Sequence, residues 1–119
     1  MSGSGRHKIP VVFYRTHGGA EVVRDWLRSL DAVDRQAVGL DLMRVQYRWP
    51  VGMPLCRALG DGLWEVRSDL PSNRIVRILF TVQQDRLIVL HGFIKKQQRT
   101  PPDELALARK RKKEYLQNL

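Results

Sequence analysis

The residues with chemistry to offer lie in the C-terminal half of the chain: Arg67, Arg77, His91, Lys95 and Lys96. Arg67 and Arg77 fall in the middle of two β-prone runs joined by a short connection, so they can be neighbours across a strand pair. Two cations side by side destabilise a sheet unless an anion or a carboxylate lies between them, and this makes the pair a candidate anion holder. A lysine beside other cations has its pKa lowered and can act as acid or base, and a histidine transfers protons near neutral pH. Plainer roles are open to the same residues. The arginines can be solvated strand residues bonded to Glu65 or Asp69, the lysines can guard a strand edge against aggregation, and a lone histidine in an apolar strand can be structural.

The elements that must position these residues follow from periodicity. Ile9 to Tyr14 is a short β-prone run in which Pro10 suits an edge position. After Gly18 and Gly19, Val23, Trp26, Leu27 and Leu30 fall at the spacing of a helix stripe, with Trp26 expected in the core. Asp31 can cap a second helix, whose apolar face is expected to be Val33, Ala37, Leu40, Met43 and Tyr47. The prolines and glycine of Trp49–Pro54 end it. Four strands then follow in succession: Leu55–Leu59, Leu63–Asp69, Arg74–Gln83 and a run from Arg86 that ends in Lys95 and Lys96. In the last, alternation puts Leu87, Val89, His91, Phe93 and Lys95 on one face. Thr100 reads as the N-cap of a closing helix with Pro101 at its first position, and Leu105, Ala108 and Leu116 are expected to dock it. The order predicts an α+β domain in which an N-terminal strand and a helical hairpin pack on a mainly antiparallel sheet of four to five strands. The helices should cover one face and leave the other available.

Composition narrows the class. Of 119 residues 43% are apolar and 28% charged, which favours one folded domain, expected over 9–119 behind a flexible leader at 1–8. The 21 Lys and Arg against 12 Asp and Glu give a formal charge of +9, and a polyanion or an acidic protein is the partner this favours. Cys56 is the only cysteine, so no internal disulfide forms and a reducing cytoplasm suits the chain. No run is apolar enough to cross a membrane, and no Gly-rich phosphate loop, cofactor motif or small-molecule signature is present. His7, His17 and His91 lack partners at ligand spacing, so no metal site is expected. Arg109-Lys110-Arg111-Lys112-Lys113 near the end of the last helix suits the helix dipole but exceeds its need, and phosphate binding accounts for the excess.

Four segments carry a resemblance: LWEVR at 63–67, VRILF at 76–80, HGFIKK at 91–96 and TPPDELALARKRKKEY at 100–115. Together they resemble the phage-derived, HigB-like branch of the RelE/ParE toxin superfamily, over nearly the whole folded chain and in order. The resemblance implies a RelE-like fold and a small basic toxin paired with an antitoxin, here a helix-turn-helix, HigA-like one. It further implies a ribosome-dependent endoribonuclease that cuts messenger RNA and blocks translation. The ParE branch instead implies a DNA gyrase inhibitor without nuclease activity, and a nucleic-acid-binding module that lost the chemistry is a further alternative.

Carried over by residue, the resemblance makes Arg67 and Arg77 the holders of the scissile phosphate, Lys95 and Lys96 the basic pair beside it, and Phe93 a stacking residue. His91 joins the catalytic candidates, and Arg74, Arg99, Arg109, Arg111 and Lys112 the RNA-binding ones. The chain departs from many relatives in having Val76 before Arg77 and a turn without glycine, Leu70 to Arg74. Metal-free RNA cleavage needs a base for the 2′-hydroxyl, charge stabilisation at the phosphorus, and a proton for the leaving 5′-oxygen. Arginines can supply the second; lysine or histidine can supply the others.

Overall fold

The computed structural model describes residues 8–119, so nearly all of the expected leader lies outside the described residues. The elements run β1 (Val11–Phe13), α1 (Val22–Arg28), α2 (Ala32–Arg48), β2 (Cys56–Gly60), β3 (Leu63–Asp69), β4 (Ile75–Gln83), β5 (Arg86–Ile94) and α3 (Pro102–Gln117). One five-stranded sheet has the order β1-β5-β4-β3-β2; β1 runs parallel to β5 and every other pair is antiparallel. This is the α+β architecture that the element order predicts, and it is consistent with the RelE-like fold that the resemblance implies.

Both faces of the sheet are covered, which corrects the expectation of one open face. The α1–α2 hairpin packs Val23, Leu27, Val38, Leu42 and Val45 on Val66, Val76, Ile78 and Phe80. On the opposite face α3 packs Ala108, with Leu105 and Tyr115, on Leu63, Leu79, Ile88 and Leu90. The reason lies in β4, where residues of both parities are apolar and buried, so each face needs its own cover. Leu116, expected to dock α3, is instead exposed, and Tyr115 packs in its place.

Helix α2 presents the reverse of the expected face. Asp34, Val38, Leu42 and Val45 are buried, whereas of the expected face Val33, Leu40, Met43 and Tyr47 are exposed and Ala37 alone packs, half-buried, on the core. Two apolar stripes share this helix, and the sheet side selects the one that also delivers its acids to partners. Ser72 donates its hydroxyl to Asp34 at 2.8 Å, and Ser68 donates to Asp41 at 2.6 Å. The Ser72 bonds come first and the Arg74 guanidinium next in holding the Asp34 carboxyl below its usual range.

A bulge in β5 shifts the predicted alternation. Leu79 pairs with His91 but the next residue, Phe80, pairs with Val89, so Leu90 is an extra residue. His91 and Phe93 therefore share a face with Ile88 and Leu90, not with Leu87 and Val89. On the hairpin side Gly92 is closely approached: a Cβ there would stand 2.9 Å from Ile78 Cδ1 and 3.0 Å from Trp26 Cζ3. Trp26 is thus half-buried on the backbone of β5 and not in the centre of the core.

Candidate functional site

Arg67 and Arg77 are paired directly across β3 and β4, as their placement in the two runs predicts. Their environments differ. The Arg67 side chain is 47% exposed and its Nε lies 3.3 Å from Asp69 Oδ1. Arg77 is sealed: its side chain is 6% exposed and its Nε is 3.6 Å from Oε1 of Glu65, itself 5% exposed. That Nε has no hydrogen-bond partner, while Nη2 donates to the Gln98 carbonyl at 2.7 Å and Nη1 to the Thr100 hydroxyl at 3.3 Å. The Thr100 hydroxyl donates in turn to Glu65 Oε2 at 2.6 Å. Arg77 and Glu65 together therefore fasten the segment between β5 and α3 to the sheet. Thr100, expected as an N-cap, is used for this closure, and α3 starts one residue later with Pro101 at its cap.

The second half of the site is built on the bulge. Where an extra residue interrupts pairing, consecutive side chains emerge on one face, and His91 is carried to the foot of α3. Its Nε2 is 3.1 Å from Glu104 Oε1, and its Nδ1 is 3.4 Å from Arg111 Nη1. Arginine can only donate, so in the neutral imidazole this arrangement selects a proton on Nε2, donated to Glu104, and leaves Nδ1 as acceptor. Phe93 stacks on the His91 ring, with centroids 5.6 Å apart and planes at 29°. A groove of about 530 Å³ opens beside them, lined by Trp26, His91, Phe93, Lys96, Asp103 and Glu104. Lys96 is exposed on its rim; Lys95 is half-buried and donates its N–H to the Ile75 carbonyl at 2.7 Å.

The remaining predicted residues divide by location. Arg99 is exposed in the segment that covers Arg77, and Arg109 is exposed on α3. Arg111 is turned inward: it donates to the Leu90 carbonyl at 2.9 Å and lies 5.1 Å from the centre of the Tyr14 ring. Burial lowers its pKa from the usual arginine value. Burial also raises the pKa of Tyr14, whose hydroxyl donates to Glu114 at 3.0 Å and gains further from that bond. Lys112 donates to the Asp61 carbonyl and ties α3 to the β2–β3 turn. The cationic run is thus split by the helix period into packed Arg111 and Lys112 and solvated Arg109, Lys110 and Lys113. It lies before the last turn of α3, which holds no basic residue. Arg74 is brought to the other side of the sheet, 3.2 Å from Asp34.

The sequence does not single out Glu104 or Thr100 as site residues, and it offers Glu65 and Asp69 only as bonding partners for the two arginines; Glu65 meets Arg77 and Asp69 meets Arg67. The one signal was position: Glu65 lies two residues before Arg67 and so on its face, and Glu104 stands in the first turn after the Pro-Pro pair. Cys56 is buried, and this pushes its thiol up to about 12. Among the described residues no three His, Cys, Asp or Glu stand together as a metal-binding group, and no helix is long and apolar enough to cross a membrane.

Three of the four segments that form this site, and all but the last two residues of the fourth, fall inside one family match. A family model described as Phage derived protein Gp49-like (DUF891) matches residues 25–113, from α1 to near the end of α3. No curated protein matches the chain. With most of the chain inside the match and a RelE-like fold around it, the chain belongs to the phage-derived Gp49-like family, a family of RelE-like toxins.

Proposed function

We propose that the protein is the toxin of a HigB-like toxin–antitoxin pair and cleaves messenger RNA on the ribosome in the cytoplasm, without a metal. The observation that carries this reading is His91, held between the Glu104 carboxylate and Arg111 on a bulge beside an open groove. Nδ1 is the ring's acceptor, and it exchanges its long 3.4 Å contact with Arg111 for the 2′-hydroxyl, whose proton it takes. Glu104 orients the ring and stabilises the imidazolium that results, as the third member of a nucleophile–base–carboxylate chain does. The deprotonated 2′-oxygen attacks phosphorus, the bond to the 5′-oxygen breaks, and a lysine ammonium at the rim supplies the leaving oxygen with its proton.

Arg67 and Lys96, both exposed, hold phosphates of the strand laid across this face, and Arg99 and the solvated cations of α3 extend the footprint to ribosomal RNA. Arg77 takes a different role from the one its resemblance implies. Sealed beneath Gln98 and Thr100, it is a positioning residue that sets the covering segment, and Arg67 is the member of the pair that meets substrate. A helix-turn-helix, HigA-like antitoxin is the partner that restrains the activity.

The test is primer extension on messenger bound to purified ribosomes and on the same messenger free, with wild type, His91→Gln and Arg67→Ala. Cuts confined to ribosome-bound message, and lost in both variants, are the expected result. Growth arrest without cuts, together with inhibition of DNA gyrase supercoiling, would overturn the nuclease reading in favour of a ParE-like inhibitor.

A further inference from the structure

Helix α2 carries a second apolar seam that the fold leaves uncovered. Val33, Leu40, Met43 and Tyr47 are 60, 48, 43 and 48% exposed. With exposed Gln36 they form the series 33, 36, 40, 43, 47, which alternates steps of three and four and is the a/d repeat of a coiled coil over two heptads. The seam runs about 21 Å at 1.5 Å per residue, long enough for a partner helix of four turns. A solvated helix face does not need this pattern. Scattered apolar residues on a surface are ordinary, but four apolar residues at heptad spacing on the side away from the core mark a contact surface.

The charges beside the seam say what fits it. Helix α2 has two acids, and both are taken up by the fold: Asp34 by Ser72 and Arg74, Asp41 by Ser68 and Arg44. Its three cations, Arg35, Arg44 and Arg48, are all exposed. Lys8 adds a fourth, its Nζ 5.6 Å from the centre of the Tyr47 ring. A second copy of this chain would bring the same cations and a formal charge of +9 against themselves. We infer that the outer face of α2 docks an acidic amphipathic helix of a partner protein, with apolar a and d residues on the seam and carboxylates over Arg44 and Arg48. Gln36 supplies the one polar position within the seam, the kind of residue that sets register between paired helices. The surface lies across the sheet from His91 and Glu104, and the inference does not depend on the cleavage reading.

Two synthetic helical peptides three heptads long, with Leu at a and d, test this. One carries Glu at the flanking e and g positions and the other Lys. Each is titrated into the full ¹⁵N-labelled chain. The Glu peptide is expected to shift amide signals within 33–47, to bind at least tenfold more tightly than the Lys peptide, and to weaken as salt rises. Leu40→Glu and, separately, Met43→Glu should each weaken it tenfold or more while circular dichroism and RNA cleavage stay unchanged. Equal binding of the two peptides, shifts that map away from α2, or no binding would overturn the proposal. So would a dimer of the free chain in sedimentation that Leu40→Glu dissolves, since a second copy would then be the occupant.

Discussion

Arg67 and Arg77 face each other across β3 and β4, yet the first is solvated beside Asp69 and the second is enclosed with Glu65. One cross-strand pair thus sets one guanidinium in solvent and the other under cover. The division follows from the covering segment, which descends on the Arg77 side and leaves Arg67 at its margin.

Replacing the two arginines should have opposite signatures. Arg77→Ala leaves a carboxylate in a site that is 5% exposed, with the Thr100 hydroxyl as its remaining donor, and the expected cost is about 3–5 kcal/mol in urea unfolding. Arg67→Ala removes an exposed pair and should change stability by less than about 1 kcal/mol while lowering cleavage at least tenfold. A double change to apolar residues, Glu65→Leu with Arg77→Met, should recover most of the stability that the single change loses.

Glu104 should act through His91. Glu104→Gln keeps an acceptor near Nε2 but removes the charge that stabilises the imidazolium, so kcat should fall about 10²-fold with KM little changed. Single-turnover cleavage of ribosome-bound message measures this. A fall confined to KM would show that Glu104 only shapes the groove.

Gly92 should tolerate no side chain. Its added Cβ would meet Ile78 on one side and the Trp26 ring on the other at 3.0 Å or less, and Gly92→Ala should cost about 1–3 kcal/mol as overpacking. Trp26→Leu in the same chain should relieve part of the cost, because the ring is one of the two obstacles. Chemical denaturation of the two single variants and the double gives the coupling.

Acid should weaken the link between α2 and the β3–β4 turn. Asp34 has a folded-state pKa below its usual 3.8, chiefly through the Ser72 bonds and then Arg74. Its contribution is therefore fully present above pH 3.8 and is lost as pH falls through the lower folded value. Asp34→Asn should be less stable than wild type at neutral pH, and the two curves of unfolding free energy should converge below that window. Curves that stay parallel down to pH 2 would remove Asp34 from the acid response.

The Cys56 thiol should be silent. Buried and raised to about 12, it is protonated at neutral pH and shielded from reagents. Thiol titration with an aromatic disulfide should show no reaction in the native protein and one equivalent in urea.

Much of the fold is legible in residue order. The alternating runs at 63–69 and 75–83 define β3 and β4 because strand period and burial agree there, and they suffice to set Arg67 opposite Arg77. The basic closing helix and its Pro-Pro start are equally local. Other features are decided by contacts between distant residues. Helix α2 has two apolar stripes, and Ser68 and Ser72, more than twenty-five residues away, help choose the side that faces the sheet by donating hydrogen bonds to its acids. The bulge at Leu90 shifts β5 by one residue, which no alternation rule can anticipate, and it alone places His91 and Phe93 under the start of α3. The burial of Arg77 depends on Thr100, which local chemistry assigns to a helix cap and which the fold spends on Glu65. Periodicity thus determined which residues share a strand; the three-dimensional packing decided which of them meet solvent, because polar partners and register are properties of the whole sheet.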